Sequence, residues 1–246
     1  MSKDIKFSRR IFSSGAVSLG ALALAGCVRP PVRRQALSTY SLEPNQYAPT
    51  QYAPNQYAPM SENALRIARI YGPIPDERFP VPAVNLEHIS PAFYRARVQY
   101  QTDEPVGSII VNTNTFYTYL VEENGMAMRY GVGLGRAGFA WSGRATMTWK
   151  RKWPRWTPPT NMIARQPELE IYSAANGGMA PGLDNPLGAR ALYIFKDGRD
   201  TLYRLHGTGD AWSIGRAVSS GCVRFLNQDI IDLYDRVQDG APILVI

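Results

Sequence analysis

Three consecutive pentapeptides, Asn45–Pro49, Thr50–Pro54 and Asn55–Pro59, share the pattern x-Gln-Tyr-Ala-Pro and differ only at the first residue. A proline at every fifth position removes a backbone donor and turns the preceding residue away from helical conformation. Neither a helix nor a central strand can run through this stretch. The chain from 28 to 85 therefore reads as an extended, semi-rigid tether built around these repeats, and a folded domain is expected over 86–246. Within the tether, Ser61–Tyr71 carries a short helix pattern, with Ser61 as cap and Leu65, Ile67 and Ile70 apolar.

Residues 1–27 have the three parts of an export signal. A basic start (Lys3, Lys6, Arg9, Arg10) precedes an apolar run from Ala16 to Ala25 that is too short for a permanent membrane span. Ser8-Arg9-Arg10-Ile11-Phe12 resembles a twin-arginine signal, and Leu24-Ala25-Gly26-Cys27 resembles a lipobox, in which Cys27 becomes the lipid-bearing first residue. Cleavage after Ala23-Leu24-Ala25 is the plainer alternative. Both place the mature chain outside the cytoplasmic membrane, and the first adds a lipid anchor.

The net charge of +7 resembles a nucleic-acid signal until the chain is divided. Residues 1–85 hold 10 Lys/Arg against 5 Asp/Glu, whereas 86–246 hold 17 against 15. The domain itself is nearly neutral, so phosphate-backbone binding is not expected. Two cysteines and two histidines are too few for a structural zinc site, and no metal or cofactor is expected. A Cys27–Cys222 disulfide is not expected either, because Cys27 ends the export signal.

From Ala92 onward β patterns dominate: Tyr94–Tyr100, Ser108–Val111, Phe116–Val121, Met128–Val132, Ala145–Lys150, Leu192–Phe195, Leu202–His206 and Ile243–Ile246. Asn112-Thr113-Asn114 and Asp197-Gly198 read as tight turns. One helix is predicted from Asn227 as cap, with Ile230, Leu233, Tyr234 and Val237 on one face and Gly240 as stop. A shorter helix follows Pro158-Pro159. No βαβ rhythm is present, so the fold class is mainly β with one or two packed helices.

The stretch from His206 to Arg224 concentrates the chemistry. It holds the domain's one cysteine, Cys222, and a histidine at the end of a predicted strand, in a frame of glycines at 207, 209, 215 and 221. A thiol attacks as its thiolate, and an imidazole can take the proton. A Gly221-Cys222 turn can leave N–H groups free for an oxyanion. Taken singly, a cysteine is more often a small buried hydrophobe and a histidine more often structural; the pairing in this frame favours catalysis. Lys150–Trp156, a basic-aromatic run, reads either as a substrate lid or as a strand edge with anchoring tryptophans.

His206-Gly207-Thr208, a loop, and then Ser219-Ser220-Gly221-Cys222-Val223-Arg224 resemble the signature of the L,D-transpeptidase catalytic domain family, the YkuD-like group with ErfK/YbiS-type members. Pro105–Asn112, Thr157–Pro159 and Asn185–Gly188 resemble further segments, so the likeness covers about 104–246. Many members carry histidine where Ser220 stands. The resemblance implies a β-sandwich or barrel-like domain that takes peptidoglycan stem peptides. It also implies Cys222 as nucleophile, His206 as base and then acid, and a Gly207 carbonyl that orients the imidazole. Gly221 would form the oxyanion turn, Arg224 would bind a carboxylate or brace the turn, Ser219 and Ser220 would line it, and Trp212 would roof the site. The thioester would pass to a stem-peptide amine or an outer-membrane protein in the periplasm. A hydrolase of the same fold, or a silent wall-binding lipoprotein, remains a competing reading.

Overall fold

The computed structural model describes residues 60–135, 142–219 and 221–246, without the side chain of Ser219. The export signal, Cys27, the repeats and Ser220 lie outside the described residues.

The strands are β1 (Ala96–Gln99), β2 (Ile109–Asn112), β3 (Tyr117–Val121), β4 (Met126–Gly131), β5 (Leu134–Gly135), β6 (Gly143–Lys152), β7 (Arg190–Lys196), β8 (Arg199–Thr208), β9 (Ala217–Ser219), β10 (Val223–Leu226) and β11 (Ala241–Val245). The helices are α1 (Glu62–Tyr71), α2 (Thr160–Ile163) and α3 (Asn227–Arg236). Nine strands form one sheet in the order β1-β4-β3-β2-β11-β6-β7-β8-β10, and β5 pairs with β9. Most pairs are antiparallel; β2 with β11, β8 with β10 and β5 with β9 are parallel. These parallel joints have no βαβ signature because their connections are loops or whole sheet segments rather than single crossover helices.

The sheet curls on itself. Just past β4, the Gly133 N–H donates to the Arg224 carbonyl (2.8 Å) and the Arg224 N–H donates to Gly133 (2.7 Å). Chain from one end of the strand order thereby meets β10 at the other. The enclosed core holds Ile109, Val111, Tyr130, Met147, Leu192, Leu205, Phe225 and Ile243, capped by Ile230, Leu233 and Val237 of α3. The fold is mainly β with few helices, as the sequence predicts. Asp197 and Gly198 both take positive φ (51° and 72°), the requirement of a two-residue type I′ hairpin between β7 and β8.

Ordered packing starts earlier than residue 86. Ser61 caps α1 by accepting from the Ala64 N–H (3.2 Å). Tyr71 is buried, with its hydroxyl accepting from the Arg95 N–H (2.6 Å) and donating to Asp229 (3.4 Å). Ile74, Phe79 and Val81 pack around Trp153 and Ala189. Gln228 at the start of α3 donates to the carbonyls of Gly72 and Pro82. Residues 60–85 thus form a strap against the sheet. Their side chains Ile67, Ile70, Tyr71, Ile74, Phe79 and Val81 supply the apolar surface that packs there.

Asn227 is not the cap of α3. Leu226 occupies that position, and the Asn227 side-chain oxygen instead accepts from the Ala189 N–H (2.9 Å). The basic-aromatic run is also largely committed to structure. Lys150 donates to the Tyr234 and Val237 carbonyls at the C-terminus of α3, both at 2.6 Å. Trp153 is buried and donates through its indole N–H to Glu77 (2.7 Å), and Arg155 donates to the Gly177 and Gly178 carbonyls.

Candidate active site

Alternation along β8 and β10 decides which side chains meet. Leu205 and Phe225 turn into the core with Tyr203 and Val223 against it, so Arg204, His206 and Arg224 face the other side of the sheet. The parallel ladder sets His206 beside Arg224 and Leu205 beside Val223. Cys222 directly precedes β10, and its sulfur takes a hydrogen bond from the Arg204 backbone N–H on β8. The candidate nucleophile thus sits at the start of β10, and the candidate imidazole on the neighbouring strand β8, two residues beyond Arg204. The Cys222 sulfur lies 3.9 Å from the Leu202 carbonyl oxygen, and Leu202 takes a left-handed backbone (φ 63°) that no glycine relieves.

His206 is buried, and its Nδ1 lies 2.9 Å from the Gly207 carbonyl oxygen. A carbonyl only accepts, so Nδ1 carries the proton and Nε2 keeps its lone pair. Burial is the main cause that lowers the His206 pKa to about 4; the Gly207 hydrogen bond opposes this, and the Arg224 and Arg204 charges reinforce it. Burial likewise pushes the Cys222 thiol above its ordinary value, against the Arg204 backbone N–H and the Arg204 and Arg224 charges, which favour the thiolate. At neutral pH the pair rests as thiol and neutral imidazole.

The Gly207 peptide is itself clamped. Its N–H donates to the Leu187 carbonyl (3.0 Å). A Cβ on Gly188 would meet the Gly207 carbonyl oxygen at 2.7 Å, and one on Gly207 would meet the Asn227 oxygen at 2.3 Å. Asn185 fixes the turn behind it, donating to the Pro154, Met179 and Ala180 carbonyls and accepting from the Leu187 N–H (2.9 Å). Gly221 has φ 140°, and a Cβ on Gly135 would strike its nitrogen at 2.0 Å, so β5 backs the cysteine turn at glycine-to-glycine contact.

Two arginines flank the pair and differ in how far they are committed. Arg204 is held by Asp200 through two contacts of 2.7 Å and lies over the Tyr193 ring (4.3 Å), which stacks on Trp149. Among the described residues, Arg224 makes a loose 3.9 Å ion pair with Asp210, and its buried Nε finds no hydrogen-bond partner. Trp212 is 46% exposed on the turn Ala211–Ser213 between base and nucleophile. The Ser219 backbone lies in β9, paired with Gly135. Sequence reasoning missed Arg204, Asn185, Gly188 and Asn227 as parts of this arrangement. Arg204 was within reach of it, since it lies two residues before His206 on a strand.

The model of the L,D-transpeptidase catalytic domain, YkuD, matches residues 107–245, and the chain belongs to this family. Among curated proteins, it is 34% identical over 149 residues to the probable L,D-transpeptidase YcfS of Escherichia coli K12, covering 58% of this chain and 45% of that protein. It is 41% identical over 95 residues to the probable L,D-transpeptidase YbiS of the same strain, covering 38% and 28%. The chain therefore spans less than half the length of these relatives. Among solved structures, a probable carnitine operon oxidoreductase of Brucella melitensis is 41% identical, covering 66% of this chain and 99% of that one at a TM-score of 0.45. An L,D-transpeptidase of Mycobacterium smegmatis is 16% identical, covering 56% and 57% at a TM-score of 0.39.

Proposed function

We propose that this chain is a peptidoglycan L,D-transpeptidase that uses Cys222 as nucleophile and His206 as its base. The observation that carries the reading is the Nδ1 contact of His206 with the clamped Gly207 carbonyl, which leaves Nε2 as a base on β8, beside the strand β10 that Cys222 leads into. The Gly207 carbonyl plays the part that a carboxylate plays in a triad.

A stem peptide enters with the carbonyl of its diamino acid near the sulfur. His206 Nε2 takes the thiol proton as the C–S bond forms, and N–H groups of the Gly221-Cys222 turn hold the oxyanion. The imidazolium then protonates the leaving amine, the C–N bond breaks and D-alanine departs. An incoming amine reverses these steps: it attacks the thioester, the C–S bond breaks and the sulfur regains its proton. Arg224, with an unfilled buried donor beside the imidazole, receives a substrate carboxylate. Ser219 and Ser220 belong to the substrate-binding set, and Trp212 covers the peptide. The resting neutral pair makes this general-base chemistry triggered by substrate rather than attack by a standing thiolate.

The chain works in the periplasm, exported by its residues 1–27 and held to a membrane by lipid on Cys27. The acceptor is another stem peptide or an outer-membrane protein. The test is mass spectrometry of purified muropeptides incubated with the mature protein. Cross-linked dimers or exchanged D-amino acids are expected, and both vanish in Cys222→Ala. Trimmed tripeptides alone would instead establish a hydrolase, and no change at all would leave only a wall binder.

A further inference from the structure

The pairing of β7 with β8 is interrupted next to the nucleophile. Tyr193 stands opposite Arg204 and Phe195 opposite Asp200, so Ile194 alone faces the three residues Thr201–Tyr203. Three residues against one leave two surplus, and β8 bulges there. At the crest Leu202 is 63% exposed and takes φ 63°, a left-handed backbone that strains any side-chain-bearing residue and that glycine would adopt freely. A bulge of this kind bends its strand and re-aims the backbone beside it.

The bulge is closed by its own side chains. Thr201 Oγ1 donates to the Ile194 carbonyl (2.6 Å) and accepts from the Tyr203 N–H (3.2 Å). Asp200 accepts from the Leu202 N–H (2.8 Å) and from both terminal nitrogens of Arg204 (2.7 Å each). Arg204 in turn donates to the Tyr203 carbonyl (2.8 Å). One carboxylate thus ties the crest of the bulge to the residue that ends it. What the bulge presents to Cys222 is backbone: the Leu202 carbonyl lies 3.9 Å from the sulfur, and the Arg204 N–H donates to it. A thiol is a weak donor and a thiolate a strong acceptor, so this acceptor and donor suit the sulfur in both states.

We propose that this bulge is a cradle for the nucleophile, with the Arg204 N–H as a catalytic group on the sulfur and Asp200 as the positioning residue that holds the bulge in shape. The inference rests on the transpeptidase reading and adds the group that steadies its sulfur. At rest the thiol proton lies toward the Leu202 carbonyl. As His206 Nε2 takes that proton, the Arg204 N–H holds the sulfur's charge until its electron pair forms the C–S bond. When an amine attacks the thioester, the C–S bond breaks and the electron pair returns to the sulfur. The same N–H receives it there, and the imidazolium, having taken the amine's proton, passes that proton on.

Charge alone predicts the reverse of the cradle, which makes the test one of sign. The charged and titratable groups about the sulfur are Arg204 and His206 on β8, and Arg224 on β10 with Asp210 beyond it. Asp200→Ala deletes an anion and frees the Arg204 guanidinium, which by charge favours the thiolate; loss of the N–H disfavours it. The measurement is the pH profile of iodoacetamide alkylation, read on the Cys222 peptide of the folded mature protein. Below the midpoint, Asp200→Ala should react about tenfold more slowly than wild type, and it should release D-alanine from a tetrapeptide donor about tenfold more slowly. Asp200→Asn keeps an acceptor for the Leu202 N–H and should regain most of both rates. Leu202→Val, whose β-branched side chain resists a left-handed backbone, should repeat the loss. Faster alkylation of folded Asp200→Ala, or an unchanged profile in both it and Leu202→Val, overturns the proposal. Carbon-detected NMR needs no cradle variant: the Arg204 amide nitrogen of the wild type should shift as Cys222 ionises, and should not in Cys222→Ser. An amide that stays still in the wild type overturns the cradle even where no variant folds. A wild type that never takes an acyl group from the donor overturns the transpeptidase reading, and the cradle's part in it, whatever the alkylation shows.

Discussion

A histidine enclosed in protein and hydrogen-bonded through Nδ1 stays a base over a wider pH range than one in water. The ordinary imidazole charges below about 6.5, but burial holds His206 neutral down to about 4. The acid limb of acylation should therefore lie well below 6.5, measured as the rate of D-alanine release against pH. Alkylation of Cys222 by iodoacetamide should rise only above the ordinary thiol range, because burial raises that group. A standing thiolate–imidazolium pair would react quickly and evenly from pH 5 to 7. The same shift bears on stability: between 6.5 and 4 the unfolded chain accepts a proton that folded His206 refuses. Its contribution is thus full above 6.5 and is lost as pH falls toward 4. The backbone behind His206 makes a second prediction. Gly188→Ala puts a Cβ within 2.7 Å of the Gly207 oxygen at a φ of +59°. It should cost about 1–2 kcal/mol of stability in denaturant titration and at least about tenfold in acylation, since the imidazole loses its orientation. His206 and Cys222 stood out as candidates in the sequence because cysteine and histidine are scarce here, and Gly207 entered only through the family signature. Gly188 and Asn227 were not: each meets the site through a contact that only strand register and the start of α3 bring about.

At the scale of elements, the long alternating strands β7 and β8 and the Asp197-Gly198 turn could be read directly, because a period of two and a pair of positive-φ residues leave few alternatives. β5 and β9, at two and three residues, are too short to show a period. Asn227 misled the helix boundary because its amide serves any backbone N–H, and Ala189 was the one within reach. The strap gives the sharpest test at this scale. Arg190 is 1% exposed, and Glu77 pairs with it through both carboxylate oxygens, one of them 3.0 Å away. The Arg190 and Trp153 contacts hold the Glu77 carboxyl below its ordinary value against the cost of burial. Its contribution is therefore present above the usual carboxylate pKa and is lost as pH falls through the lowered one. Glu77→Ala leaves a buried guanidinium uncompensated and should destabilise the domain by about 3 kcal/mol in urea titration at pH 7. An unchanged midpoint would show that the strap is not part of the cooperative fold.

For the whole molecule, the strap moves the start of the folded unit from 86 to about Met60. A chain beginning at Met60 should melt with the full-length protein, whereas one beginning at Leu86 exposes Trp153, Ala189 and Arg190 and should melt several degrees lower or fail to accumulate. Differential scanning calorimetry of the two truncations decides this. The start of that unit was not legible: beyond the helix pattern that ends at Tyr71, the apolar residues Ile74, Phe79, Val81 and Val84 stand among prolines and give no period. The account depends most on one covalent event at one sulfur. Its most direct test is peptide mapping of the protein quenched during turnover with a tetrapeptide donor. The predicted result is a tripeptide acyl group on the fragment containing Cys222, formed slowly in His206→Gln and never in Cys222→Ala. An acyl group on any other residue, or product still released by Cys222→Ala, would contradict it.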